Sequence, residues 1–160
     1  MHKIPTISYN DLKNTNKEVL EFLTLSLENN GFFVINNHPI DLKLISNAFQ
    51  IAEEMFDLPF ETKQKYHVPG TNGARGYTPY GIETALNEKV ADQKEFWHQG
   101  STSNTELMPN IYVDEIDNFK DLDTLYKEFE SMGVQILKAF ANFNLPVSYT
   151  HLRAHETCGH

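Results

Sequence analysis

The spacing of apolar residues changes several times along the chain, and each change predicts an element. Val19, Leu20, Phe22, Leu23 and Leu27 recur at helical intervals between about residues 16 and 30, and Gly31 follows where a C-terminal cap belongs. Asp41 stands as an N-cap before a second stripe of Leu42, Ile45, Phe49, Ala52 and Phe56, which Leu58-Pro59 closes. A third stripe of Leu125, Phe129, Met132, Ile136, Phe140 and Phe143 predicts a long helix over about residues 121–144. The strand signals are shorter. Ile4-Pro5-Thr6-Ile7-Ser8 alternates β-branched residues, with Pro5 where an edge tolerates it. Phe32-Phe33-Val34-Ile35 is a β-prone run closed by the turn residues Asn36-Asn37-His38-Pro39, which predicts a buried strand. Residues 61–66 can add a helical turn, and Lys94-Glu95-Phe96-Trp97-His98 reads as a strand. Residues 69–81, rich in Gly and Pro, read as a loop carrying aromatic side chains.

Three long helices with a few isolated strands define an α+β pattern. They exclude a strand-rich barrel and a run of parallel βαβ units. A length of 160 residues predicts one domain, or part of one, and 40% hydrophobic with 22% charged residues is the composition of a folded chain. A net charge of −9 without a Lys/Arg cluster argues against nucleic acid as a partner. The longest apolar runs are far too short to span a membrane, and the N-terminus carries no signal-peptide pattern, so the expected location is cytoplasmic. Cys158 is the single cysteine and has no partner for an internal disulfide.

The candidate chemistry is sparse. His38, His67 and His98 are not followed by Asp or Glu two residues later, so none begins the His-x-Asp step of a two-histidine, one-carboxylate iron site. His151 and His155 stand four apart near the end, but Leu152-Arg153-Ala154 replaces the Glu of a zincin helix, and a finger would need more than one cysteine. No nucleophile elbow or phosphate-binding glycine pattern occurs. Arg75-Gly76-Tyr77 in the glycine-rich loop remains: a guanidinium offers a planar fork to a carboxylate, and the tyrosine can stack on or hydrogen-bond to a small organic acid. The alternative is an Arg paired with one of the chain's own 22 acidic residues and a Tyr closing the core edge.

An ordered series of segments gives a resemblance. Ile4-Pro5-Thr6-Ile7-Ser8, Asn30-Gly31-Phe32-Phe33-Val34-Ile35-Asn36-Asn37-His38, Phe56-Asp57-Leu58-Pro59 with Glu61-Thr62-Lys63, Gly76-Tyr77-Thr78-Pro79-Tyr80-Gly81 and Asp92-Gln93-Lys94-Glu95-Phe96-Trp97 follow one another in a set order. Over residues 1–146 the chain resembles the N-terminal domain of the 2-oxoglutarate and iron(II)-dependent oxygenases, in their isopenicillin N synthase-like branch. The resemblance implies a helix-rich cap for a double-stranded β-helix, or jelly-roll, core. It also implies iron(II) and 2-oxoglutarate as cofactors of the complete protein, acting on a small-molecule substrate. The family's His-x-Asp, distal His and Arg-x-Ser are not in this sequence.

Residues 147–160 break the resemblance and look instead like translated sequencing-adapter read-through, a non-native tail. The expectation is therefore an N-terminal fragment that is inactive as it stands and binds neither cofactor, with the missing core as its packing partner. Arg75 and Tyr77 are its candidate substrate-binding residues at the boundary of cap and core. A self-standing helical interaction module without catalysis is the alternative.

Overall fold

The computed structural model describes residues 4–14, 16–71, 73–82, 93–103 and 108–141. Its elements run β1 (Thr6–Ser8), α1 (Tyr9–Lys13), α2 (Lys17–Asn30), β2 (Val34–Asn36), α3 (Leu42–Asp57), α4 (Phe60–Gln64), β3 (Gly76–Thr78), β4 (Phe96–His98) and α5 (Asp121–Ala141). The caps predicted at Gly31 and Asp41 are in place, and Asn16 supplies a further one. Asn16 accepts from the Val19 amide at the start of α2, and Gly31 ends that helix in the left-handed region with its amide on the Leu27 carbonyl. Asp41 accepts from the Lys43 amide at the start of α3. None of the described helices is long and apolar enough to cross a membrane. The segment 147–160, including His151, His155 and Cys158, lies outside the described residues, as do Phe143 and residues 142–146 at the end of the predicted third helix.

The chain forms two compact units, residues 1–40 with 129–160, and residues 41–128. In the first unit, β1 and β2 pair in parallel, with Thr6 opposite Val34, Ile7 opposite Ile35 and Ser8 opposite Asn36. Ile7, Tyr9, Leu12 and Leu23 form its buried centre, joined by Val19, Phe22, Phe33, Ile35, Met132, Ile136 and Phe140. Local side-chain bonds trim the helices here. Ser8 caps α1, and Ser26 Oγ returns to the Phe22 carbonyl at 2.6 Å, where a buried hydroxyl finds its partner within its own helix.

The strand read within Ile4–Ser8 is present as β1, and α1, a short helix that the periodicity did not predict, follows it with Ser8 as its cap. One expectation changes in this unit. The strand expected to be buried is only half so: Phe32 is 53% and Val34 43% exposed, while Ile35 turns toward the apolar cluster. A pleated strand covered on one face leaves its alternate residues outside.

In the second unit Ile51, Met55, Val113, Ile116 and Phe119 form the core, with Phe56, Leu58, Tyr66, Trp97, Tyr112 and Leu122 packed around it. Here too the pattern shifts. Leu42 and Phe49, both on the predicted apolar stripe of α3, are 72% and 74% exposed, whereas Ile51 and Met55 are buried. The inward face of α3 is thus rotated from the stripe read off the sequence. The loop at 69–81 contains β3, which pairs antiparallel with β4.

Candidate functional site

The site is built on the β3–β4 pair, in which Gly76, Tyr77 and Thr78 lie opposite His98, Trp97 and Phe96. A glycine makes the close approach to this pair possible. Gly76 holds φ of 72°, and a Cβ there would stand 2.5 Å from the Tyr66 carbonyl oxygen, so a side chain is excluded by both backbone conformation and contact. That closeness lets the Tyr77 amide donate to the same carbonyl at 3.1 Å, while His67 Nδ1 lies 3.0 Å from the Tyr77 carbonyl. The strand is therefore fastened to the chain just beyond α4 along its backbone.

Its central side chain is fastened as well. Tyr77 is almost fully buried, and its hydroxyl donates to Glu95 Oε2. Lys63 on α4 reaches the same carboxylate at 2.9 and 3.0 Å, caps the C-terminal end of α3 through the Phe56 carbonyl at 2.8 Å, and lies 5.6 Å from the Tyr77 ring centre. One buried cation thus joins a helix end, a carboxylate and an aromatic face. Burial works to raise the Glu95 carboxyl, but the hydrogen bonds from Tyr77 and Lys63 and the Lys63 charge outweigh it, leaving it below the ordinary carboxylate value. Burial first, and then the bond to Glu95 and its charge, push the Tyr77 hydroxyl well above the usual tyrosine range.

Arg75, one residue before β3, is half-buried. Its Nε donates to the Met108 carbonyl at 3.1 Å and its Nη1 to the Ala74 carbonyl at 2.6 Å, so two of its donors meet neutral oxygens. Among the described residues no carboxylate forms an ion pair with it. The structure brings Arg75 and Tyr77 onto one short segment but gives them different surroundings, the first against Gly100 and the Met108 carbonyl and the second inside the Lys63–Glu95 cluster.

A second polar group lies in the same unit. Asp123 Oδ1 accepts from Gln99 at 2.6 Å and Asn110 at 2.8 Å, and its Oδ2 accepts from the Tyr112 hydroxyl at 2.7 Å. The bond to Asp123 and then burial raise the Tyr112 hydroxyl above its ordinary value. Trp97 Nε1 donates to Gln99 at 3.1 Å, so the Gln99 amide has partners on both ends. An open apolar cleft of about 350 Å³ between α3, β4 and the start of α5, lined by Ile51, Met55, Phe56, Trp97 and Phe119, borders this group.

Lys63, Glu95, Asn110 and Asp123 were not singled out from the sequence. The signal was partial: Lys63 and Glu95 both stand in segments of the ordered series, but nothing in a linear reading pairs residues 32 positions apart. No three His, Cys, Asp or Glu side chains among the described residues come together so as to hold a metal ion, and His38, His67 and His98 serve no common centre. The described residues therefore do not fit an iron site.

The comparisons with known proteins agree with one another. A family model described as the N-terminal region of non-haem dioxygenases in morphine synthesis matches residues 4–115. The chain is 28% identical to 1-aminocyclopropane-1-carboxylate oxidase of Dictyostelium mucoroides over 166 aligned residues, covering 93% of this chain and 45% of that protein. A crystal structure of a 2OG-Fe(II) oxygenase family protein from Caulobacter crescentus superposes with a TM-score of 0.72 at 33% identity, over 89% of this chain and 49% of the other. A full-length Neurospora crassa protein, solved in complex with alpha-KG, shares the fold with a TM-score of 0.68 at 22% identity, over 86% of this chain and 46% of its own. The chain spans about half the length of the relatives it matches.

Proposed function

Because the chain belongs to the non-haem dioxygenase N-terminal family, whose members use iron(II) and 2-oxoglutarate, we propose that it is the N-terminal part of an oxygenase acting on a small organic substrate. The match over residues 4–115 carries this reading, and relatives about twice as long support it. Bound iron(II) with 2-oxoglutarate would supply the oxidising chemistry. The described residues offer it no ligand set, so the ligands are expected in a jelly-roll core that follows this domain. Such a core would cover apolar side chains now exposed, among them Leu42 and Phe49 of α3. On this reading residues 1–146 are the cap domain, residues 147–160 are a non-native tail, and the 160-residue chain has no turnover of its own.

This domain's contribution to the substrate pocket is assigned to the segment that carries Arg75 and Tyr77. Tyr77 is turned inward to Glu95, so its part is to hold the segment in shape. Arg75 keeps its positive charge uncompensated by any described carboxylate and is the group suited to meet an acidic substrate. Two measurements test the reading. Succinate release from 2-oxoglutarate with iron(II) and ascorbate is expected not to exceed the no-protein control, and release above it would overturn the expected inactivity. Re-reading the source DNA across the codons of Leu145 to Ser148 is expected to continue into a His-x-Asp strand; a supported stop codon after His160 would favour a self-standing module.

A further inference from the structure

We propose that Gly100, held in place by Asn110 and Asp123, is a positioning residue that sets the direction of the Arg75 guanidinium. The inference rests on the reading of Arg75 given above and extends it to residues the sequence does not connect with it.

The geometry is specific. A Cβ built on Gly100 would lie 2.2 Å from Arg75 Cζ and Nη2 and 2.7 Å from Nη1, so the guanidinium occupies the space that any other residue's side chain would fill. Gly100 is not among the glycines with positive φ, so its lack of a side chain answers to this contact and not to backbone conformation. Its peptide is gripped at both ends by one side chain. Asn110 Oδ1 accepts from the Gly100 amide at 2.8 Å and Asn110 Nδ2 donates to the Gly100 carbonyl at 2.8 Å, as a neighbouring strand would. The same Nδ2 donates to Asp123 Oδ1 at 2.8 Å, and Asp123 is held in turn by Gln99 and Tyr112. With Nε bonded to Met108 and Nη1 to Ala74, the guanidinium is fixed by two carbonyls and packed on a buried glycine. A long cationic side chain loses much rotamer freedom when held this way, and a fork fixed in advance binds a planar anion with less left to order.

Gly100→Ala tests this cleanly, because the atoms it meets are the end of a flexible side chain, which can move away without disturbing the backbone. Arg75 reactivity toward phenylglyoxal, read by peptide mass spectrometry on the 160-residue chain, reports its freedom directly, with Arg153 as the internal reference. Gly100→Ala is expected to raise the rate at Arg75 roughly fivefold, the factor that losing one ordering hydrogen bond gives, while the melting temperature falls by no more than about 4 °C and the Arg153 rate stays unchanged. Asn110→Ala is expected to raise the Arg75 rate as well, and the double variant to react no faster than Gly100→Ala alone. An unchanged Arg75 rate in either single variant, with the fold intact by circular dichroism, would overturn the proposal, as would additive effects in the double variant. The reagent needs no turnover, so failure of the oxygenase reading would leave this result untouched.

Discussion

The two units hold themselves together differently. In residues 4–40 with 129–141 the parallel β1–β2 pair and its helices meet through apolar side chains around Leu23, and the bonds of Ser8, Asn16 and Ser26 serve their own helix ends or turns. In residues 41–128 polar side chains bridge distant parts of the chain: Lys63 to Glu95, Tyr77 to Glu95, Asn47 to Asp121, and Asn110 to Gly100 and Asp123. Apolar packing tolerates small adjustments of position, whereas buried hydrogen bonds fix one arrangement at the cost of failing sharply when a partner is lost. The candidate site lies in the unit built the second way, which is where a fixed geometry would be useful.

The largest expected effect comes from breaking the buried ion pair. Glu95→Ala strands the Lys63 charge and the Tyr77 hydroxyl, and urea denaturation should show a loss of about 4 kcal/mol. Adding Lys63→Met should restore part of that loss, because the uncompensated charge is removed with it. In the first unit, Leu23→Ala at a fully buried position should cost about 3 kcal/mol by the same measurement, with no charged partner whose removal could rescue it. Equal rescue in both units would erase the distinction.

Two left-handed glycines sharpen the contrast at smaller scale. Gly31 has φ of 78° and open space where a Cβ would go, so Gly31→Ala should cost only about 1 kcal/mol of backbone strain. Gly76→Ala adds a clash with the Tyr66 carbonyl to similar strain and should cost at least about 2 kcal/mol. The same ordering should appear in thermal melts.

The smallest expected effect is the pH dependence of the second unit. The Glu95 carboxyl is lower in the folded chain than its ordinary value of 4.5, so its contribution is complete above that pH and is lost as the pH falls through the lowered value. The Tyr77 hydroxyl is raised above its ordinary 10.0, so its contribution is complete below pH 10 and is lost as the pH climbs beyond it. Urea midpoints for the native chain and Glu95→Gln should therefore converge in acid. A constant gap down to about pH 3, below the ordinary carboxylate range, would remove Glu95 as the cause.

Much of the fold is legible in the sequence because its signals are local. Helix caps at Asn16, Gly31 and Asp41 act within three or four residues, and the helical periods that follow them are visible in any short window. The family could be recognised for a similar reason, since its ordered segments are strings of neighbouring residues. The site was legible only in part. Arg75 and Tyr77 stood out by residue type, but the Met108 carbonyl that holds Arg75 and the Glu95 carboxylate that holds Tyr77 lie 33 and 18 positions away, beyond the reach of any local pattern.

The sequence by itself determined where the helices begin, which residue types could carry chemistry, and to which family the chain belongs. Only the tertiary structure decided that Tyr77 faces Glu95 and Lys63, that Ile51 and not Phe49 turns inward from α3, and that a glycine lies beneath the Arg75 guanidinium. The physical reason is that periodicity specifies a face only to within a turn, and a buried polar group chooses its partner from whatever the packed chain brings within hydrogen-bonding reach.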